Sequence, residues 1–202
     1  MSLTNEQQSL VQRAQAKPDP FSVGAAWDAA MATYQRDFFG IVVGQLLGII
    51  LVAVISAISL GLAAPAMVIG YIRFHQKKLR NEPVDFSELF SGFNDFGQSL
   101  GLTLVMWILL AIGYICCILP GIYLGVAWWF AFFALSDRLG DFWNVMEMNR
   151  QAVTTHWWSA LLFLIVIHLI AYAGLLACII GVLVTAPFAM LMACSAYDRL
   201  FR

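Results

Sequence analysis

The residues of this chain best suited to chemistry are His75, His156, His168, the four cysteines Cys116, Cys117, Cys178 and Cys194, and one basic run. No two histidines stand at i, i+4, and no carboxylate flanks them in a zinc-hydrolase pattern, so the spacing offers no metal site. The cysteines lack metal-ligand spacing as well and read as small apolar residues buried in a membrane. A bridge from Cys178 to Cys116 or Cys117 in an oxidising periplasm is the less favoured alternative. His168 falls in an uncharged run, where a neutral imidazole bonded to another helix is expected, because a proton relay needs ionisable partners. No nucleophile elbow, phosphate loop or dinucleotide fingerprint occurs. The polar residues left inside apolar runs, Gln45, Ser56, Thr103, Tyr114, Tyr172, Thr185 and Ser195, are scattered, and interhelical hydrogen bonds worth about 0.6–2 kcal/mol each account for them. The sequence therefore assigns no catalytic residue, no cofactor and no metal ligand.

The basic run is Arg73-Phe-His-Gln-Lys-Lys-Leu-Arg80. Arg73, Lys77, Lys78 and Arg80 are candidate contacts for anionic lipid headgroups, each worth about 1 kcal/mol near a charged surface. Charges that only fix topology are the equally weighted alternative. After the run, Asp85 with Glu88 three residues later has the form of a capping box. Phe86, Leu89, Phe90 and Phe93 then make an apolar stripe, as expected of a helix lying in the membrane interface. Asp85, Glu88 and Asp95 beside this stripe would repel phosphates, which argues against a nucleic-acid partner.

These residues must be held by membrane helices. The chain has 202 residues, 61% apolar and 11% charged, far below the roughly 25% charged fraction of a soluble domain. No charge lies in Phe38–Ile72, Phe96–Ser136 or Gln151–Tyr197. Each run is too long for one crossing at about 20 residues and suits two. Six spans are expected: Phe38–Ser56, Ser59–Phe74, Ser99–Cys116, Pro120–Ser136, Trp157–Ala177 and Gly181–Ala196. The basic residues then share one side, so the positive-inside rule places both termini in the cytoplasm. Met1–Pro20 lacks the apolar core of a signal peptide and reads as a polar, partly helical, solvated tail.

Three units of about 60 residues follow, 21–82, 83–139 and 140–202, within one all-α six-helix domain spanning 21–202. Each has an interfacial amphipathic helix and a hairpin of two spans, giving parallel rather than inverted repeats. Ser22 is the expected N-cap of the first amphipathic helix, which carries Trp27. Asp141–Thr155 is the third such helix, and Trp157 and Trp158 follow it at aromatic-belt positions. Gly40, Gly44 and Gly48 stand four apart on one helix face, and Gly121 and Gly125 repeat the spacing, which suits close helix packing. An intramolecular contact is preferred to a homodimer face. Trp107, Trp128 and Trp129 are expected to fill space between helices. Outer turns are expected at Gly61 with Pro65, at Leu119-Pro120-Gly121, and at a bend marked by Gly181 and Pro187.

At Leu89-Phe-Ser-Gly-Phe93, Leu119-Pro-Gly-Ile-Tyr-Leu124, His156-Trp-Trp158 and Gly181-Val-Leu-Val-Thr-Ala-Pro187 the chain resembles uncharacterised bacterial six-helix inner-membrane proteins. These are similar in turn to the membrane domain fused to some glycerophosphodiester phosphodiesterases. The resemblance implies the six-helix architecture and no activity, since the chain is expected to lack the phosphodiesterase catalytic domain. The expected function is non-enzymatic, acting through membrane lipid and through a membrane-protein partner or a second copy of the chain. A channel or facilitator for a small neutral or apolar solute is the alternative.

Overall fold

The computed structural model describes residues 3–116, 118–176 and 179–202. It is 84% helical, with no strand among the described residues. The helices are α1 (Asn5–Ala16), α2 (Val23–Arg36), α3 (Phe38–Ile58), α4 (Ala64–Leu79), a 3-10 segment (Phe86–Asp95), α5 (Phe96–Cys116), α6 (Ile118–Trp128), α7 (Ala131–Ser136), α8 (Phe142–Thr154), α9 (Trp157–Leu176) and α10 (Ile179–Phe201). Five stretches are long and apolar enough to cross a membrane: Phe38–Ile58, Phe86–Cys116, Ile118–Ser136, Trp157–Gly174 and Gly181–Phe201. The chain is a multi-pass membrane protein.

The second expected span departs from its expected form. Its helix, α4, starts at Ala64 rather than Ser59 and has 16 residues, or about 24 Å at 1.5 Å per residue. Positive φ angles of +52° at Leu60 and +87° at Gly61 make the turn that delays it. Pro65 then occupies its first turn, where a missing N–H costs nothing. Most of α4 is buried, from Pro65 through Gln76, and it packs against α3, α5, α7, α10 and the 3-10 segment. A helix enclosed by protein can carry Arg73, His75 and Gln76, which a lipid-facing helix of the same length could not.

Other expectations are corrected by the backbone. Asp85 and Glu88 do not form a capping box; the segment is a 3-10 helix, and Glu88 turns to Lys77 instead. Leu89 leaves the interfacial stripe and is buried, its carbonyl facing Gly70, while Phe86, Phe90 and Phe93 stay exposed. α6 begins at Ile118, so Pro120 lies within its first turn, and the real interruption of this span comes at Trp129-Phe130. Pro187 sits inside a continuous α10 rather than at a bend. Ser22 makes no side-chain cap. Trp128 is buried and Trp129 stacks on Phe133, but Trp107 is 73% exposed and fills no interhelical space. The imidazole Nδ1 of His168 bonds the Leu164 carbonyl of its own helix at 2.7 Å, not another helix.

The N-terminal region is folded rather than solvated. Thr4 and Gln7 form a reciprocal capping box on α1, whose Val11 and Ala14 are buried and which packs against α8 and α10. Gln7 Nε2 donates to the Leu139 carbonyl at 2.7 Å and Gln15 Nε2 to the Gln151 carbonyl at 3.0 Å. The less favoured bridge from Cys178 to Cys116 or Cys117 falls on Cys117 and Cys178, which lie outside the described residues; Cys116 and Cys194 form no disulfide among the described residues.

Candidate anion site at the charged end of the bundle

Every ion pair between different helical elements lies at one end of the molecule among the described residues. The basic run at the end of α4 is its centre. Arg73 donates from Nε to the Ser136 carbonyl at 2.7 Å, from Nη1 to the Ser91 carbonyl at 3.0 Å, and from Nη2 to Asp95 at 2.6 Å. Lys77 meets Glu88 at 2.5 Å, and Lys78 pairs with Asp37, the cap of α3. Arg80 grips Asp137 at 2.8 and 2.7 Å and reaches Asp198 at 3.0 and 2.5 Å. The ends of α4, α7 and α10 are thereby fastened to one guanidinium. Burial opposes the charge of Arg80, but the two carboxylates outweigh it and hold the group protonated more firmly than usual.

A cavity of about 490 Å³ opens among these groups, with Gln76 and Ser136 in its wall. Ser136 Oγ donates to Gln76 Oε1 at 2.7 Å, while Gln76 Nε2 has no partner among the described residues. All four cations proposed as headgroup contacts from the sequence face this network, and each is matched to a carboxylate. Their charge is committed within the protein.

A second, larger cavity of about 690 Å³ lies beside it, walled by the link Lys17–Pro20, one flank of α2 and the end of α10. Lys17, Arg36, Arg199 and Arg202 border it, and none of the four meets a carboxylate within ion-pair distance among the described residues. Three are held by backbone carbonyls instead. Lys17 Nζ donates to the Arg199 carbonyl at 2.6 Å, and Arg36 Nη2 to that of Lys78 at 2.5 Å. Arg199 Nη1 donates to the Ser22 carbonyl at 3.0 Å, and Nη2 to that of Asp19. Of the acids that line the cavity, Asp198 is already bound by Arg80. Burial, and then the nearby Arg199 charge, lower the pKa of Lys17.

The glycine motifs mark helix contacts. Gly44 abuts the Phe74 ring and Gly48 the Tyr71 ring of α4, whereas Gly40 abuts the Asp37 carboxylate that caps its own helix. Gly121 meets the Tyr114 ring and lies against Gly113 in the α5–α6 hairpin, and a Cβ built on Gly125 would have the Tyr114 hydroxyl at 3.7 Å. Trp27 meets Phe188 edge to face, and Trp157 stacks on Tyr123 and donates to its carbonyl at 3.3 Å. Trp158 is exposed. Between α3 and α4 runs an apolar groove of about 430 Å³ with Gln45 and Tyr71, hydrogen-bonded to each other, in its wall. His75 is fully buried, its Nδ1 on the Tyr71 carbonyl at 3.0 Å.

Sequence reasoning missed the Lys17, Arg36, Arg199 and Arg202 group. Its members come from both ends of the chain and the end of α2, and nothing short of the docking of α1 brings them together. No protein-family model, curated protein or solved structure matches this chain.

Proposed function

We propose that this chain is a bacterial inner-membrane protein of six crossings with both termini in the cytoplasm, acting without catalysis through contacts with lipid and protein in the envelope. The crossings are α3, α4, α5, the α6–α7 pair, α9 and α10. One observation carries the reading, the division of the surface between two kinds of group. Phe39, Ile50, Trp107, Ile108, Leu162 and Leu169 stand exposed on α3, α5 and α9, as suits a lipid-facing belt, while the interhelical ion pairs and both large polar cavities lie at one end. The antiparallel ties support the topology: the start of α3 is paired with the end of α4, and the ends of α7 and α10 meet at Arg80.

The interfacial roles of α2, the 3-10 segment and α8 belong to this proposal, as does Trp158 at the headgroup level. Purification in native lipid nanodiscs followed by mass spectrometry should show specific lipid or protein held by the chain. Specific turnover of a lipid substrate, or saturable flux of a small neutral solute in proteoliposomes, would overturn the reading.

A further inference from the structure

We infer that the cavity of about 690 Å³ between the Lys17–Pro20 link, α2 and the end of α10 is a binding site for a phosphate ester.

The charge balance comes first. Lys17, Arg36, Arg199 and Arg202 face the cavity against Asp19 and Asp198, four cations to two acids, and Asp198 shares the Arg80 guanidinium with Asp137. In the neighbouring cavity, which Arg202 also borders, Arg73, Lys77, Arg80 and Arg138 each meet an acid. Cations thus outnumber acids around the larger cavity, and none of the four is within ion-pair distance of a carboxylate among the described residues. Crowding of like charges costs free energy, and an anion relieves it.

Pre-organisation comes second. Backbone carbonyls of Lys78, Asp19, Ser22 and Arg199 hold the cationic side chains without cancelling their charge. An ammonium has three donors and a guanidinium five. Lys17 uses one of its donors on the protein and Arg199 two, so free N–H groups stay available at fixed positions. Arginine forks match the paired oxygens of a phosphate.

The third point is the shape and lining. The volume lies within the roughly 300–1,000 Å³ range of ligand pockets, several times what a bare phosphate fills. Pro18, Pro20, Ala29, Ala32 and Leu79 give it an apolar wall. That wall suits the carbon part of an ester, which is why the site is assigned to an esterified phosphate rather than to an inorganic anion.

The ester could be a phospholipid headgroup or a soluble phosphate compound. The lipid arm rests on the proposed membrane topology, under which the cavity lies at the inner leaflet; the soluble arm does not. The test uses the full chain in phosphatidylcholine nanodiscs, with and without phosphatidylglycerol, and in detergent with glycerol 3-phosphate. Retained lipid is counted by native mass spectrometry and soluble binding by thermal shift. Ala32→Glu places a carboxylate in the cavity at an exposed position and removes no hydrogen bond, so folding is preserved. Lys17→Gln removes one cation. Each should weaken binding about tenfold or more, the worth of a charge-assisted hydrogen bond, while Lys77→Gln at the neighbouring network should leave it unchanged. Phosphatidylglycerol retention sensitive to Ala32→Glu identifies a headgroup site, and a sensitive thermal shift with glycerol 3-phosphate a soluble ligand. Binding that ignores Ala32→Glu and Lys17→Gln, or no binding of either probe by the wild-type chain, overturns the site. Lipid held elsewhere would still leave the broader reading standing.

Discussion

A Cβ built on Gly92 of the 3-10 segment would lie 2.8 Å from the backbone nitrogen of Gly70 in α4 and would overlap the Ala66 carbonyl. The reverse holds too, since a Cβ on Gly70 would strike the Leu89 carbonyl. Backbone, not flexible side chain, blocks both positions. Gly92→Ala and Gly70→Ala should each cost about 3 kcal/mol or more, the upper end of overpacking penalties, measured by unfolding in detergent. Gly97→Ala is the control: a Cβ there meets nothing within 4 Å, and helix propensity should make it neutral or stabilising by up to about 1 kcal/mol.

Arg80 binds two carboxylates from different helices, and its side chain is only 10% exposed. Arg80→Ala leaves Asp137 and Asp198 facing each other without a counter-ion and should cost about 3–5 kcal/mol. Arg80→Lys keeps the charge and loses the fork, so it should fall between wild type and alanine in thermal denaturation.

Asp37 should give a pH signature. Burial works against its ionisation, but the Lys78 ammonium, the Gly40 N–H and the charge of Arg36 together hold its carboxyl below the usual 3.8. A carboxyl whose folded pKa is depressed contributes stability above its unfolded pKa and loses it as pH falls through the folded value. The melting-temperature gap between wild type and Asp37→Asn should therefore be constant at neutral pH and close below about pH 4. A gap that persists at lower pH would show that the carboxylate charge is not what stabilises this helix start.

Tyr34 donates its hydroxyl to the Val184 carbonyl at 2.5 Å, one turn ahead of Pro187. The bond ties α2 to the middle of α10, beside the Leu183 carbonyl that Pro187, lacking an N–H, leaves without its helix donor. Tyr34→Phe should destabilise by about 1 kcal/mol.

Gly44 has the Phe74 ring where a side chain would go. Gly44→Leu should lower the melting temperature, at a cost of about 1–3 kcal/mol, with no change in oligomer size by native mass spectrometry. A shift in oligomer size instead would assign this glycine face to a second copy of the chain.

The apolar runs made α3, α9 and α10 legible, because an uncharged stretch has few alternatives to a membrane crossing. α4 was harder. Its polar residues fit only because neighbouring helices surround it, and enclosure is a tertiary fact that hydropathy does not carry. The capping box at Asp85 failed for a related reason: Glu88 has a stronger partner in Lys77, on a different element. The break at Trp129-Phe130 has no proline or glycine to announce it.

The charged site was legible only in part. The basic run at Arg73–Arg80 stands out by density, yet its acids are dispersed at Asp37, Glu88, Asp95, Asp137 and Asp198. Only folding shows that they pair. The four cations of the larger cavity come from three distant segments, and the polar composition of α1 hides a helix whose Val11 and Ala14 are buried.

The bond from Lys17 to the Arg199 carbonyl joins residues 182 positions apart. A contact of such separation closes a large loop, and the entropy of closing it is lost with least penalty once the intervening helices are packed. The larger cavity is therefore completed late in folding, whereas α1 can dock earlier on α8, which precedes α10 in the chain.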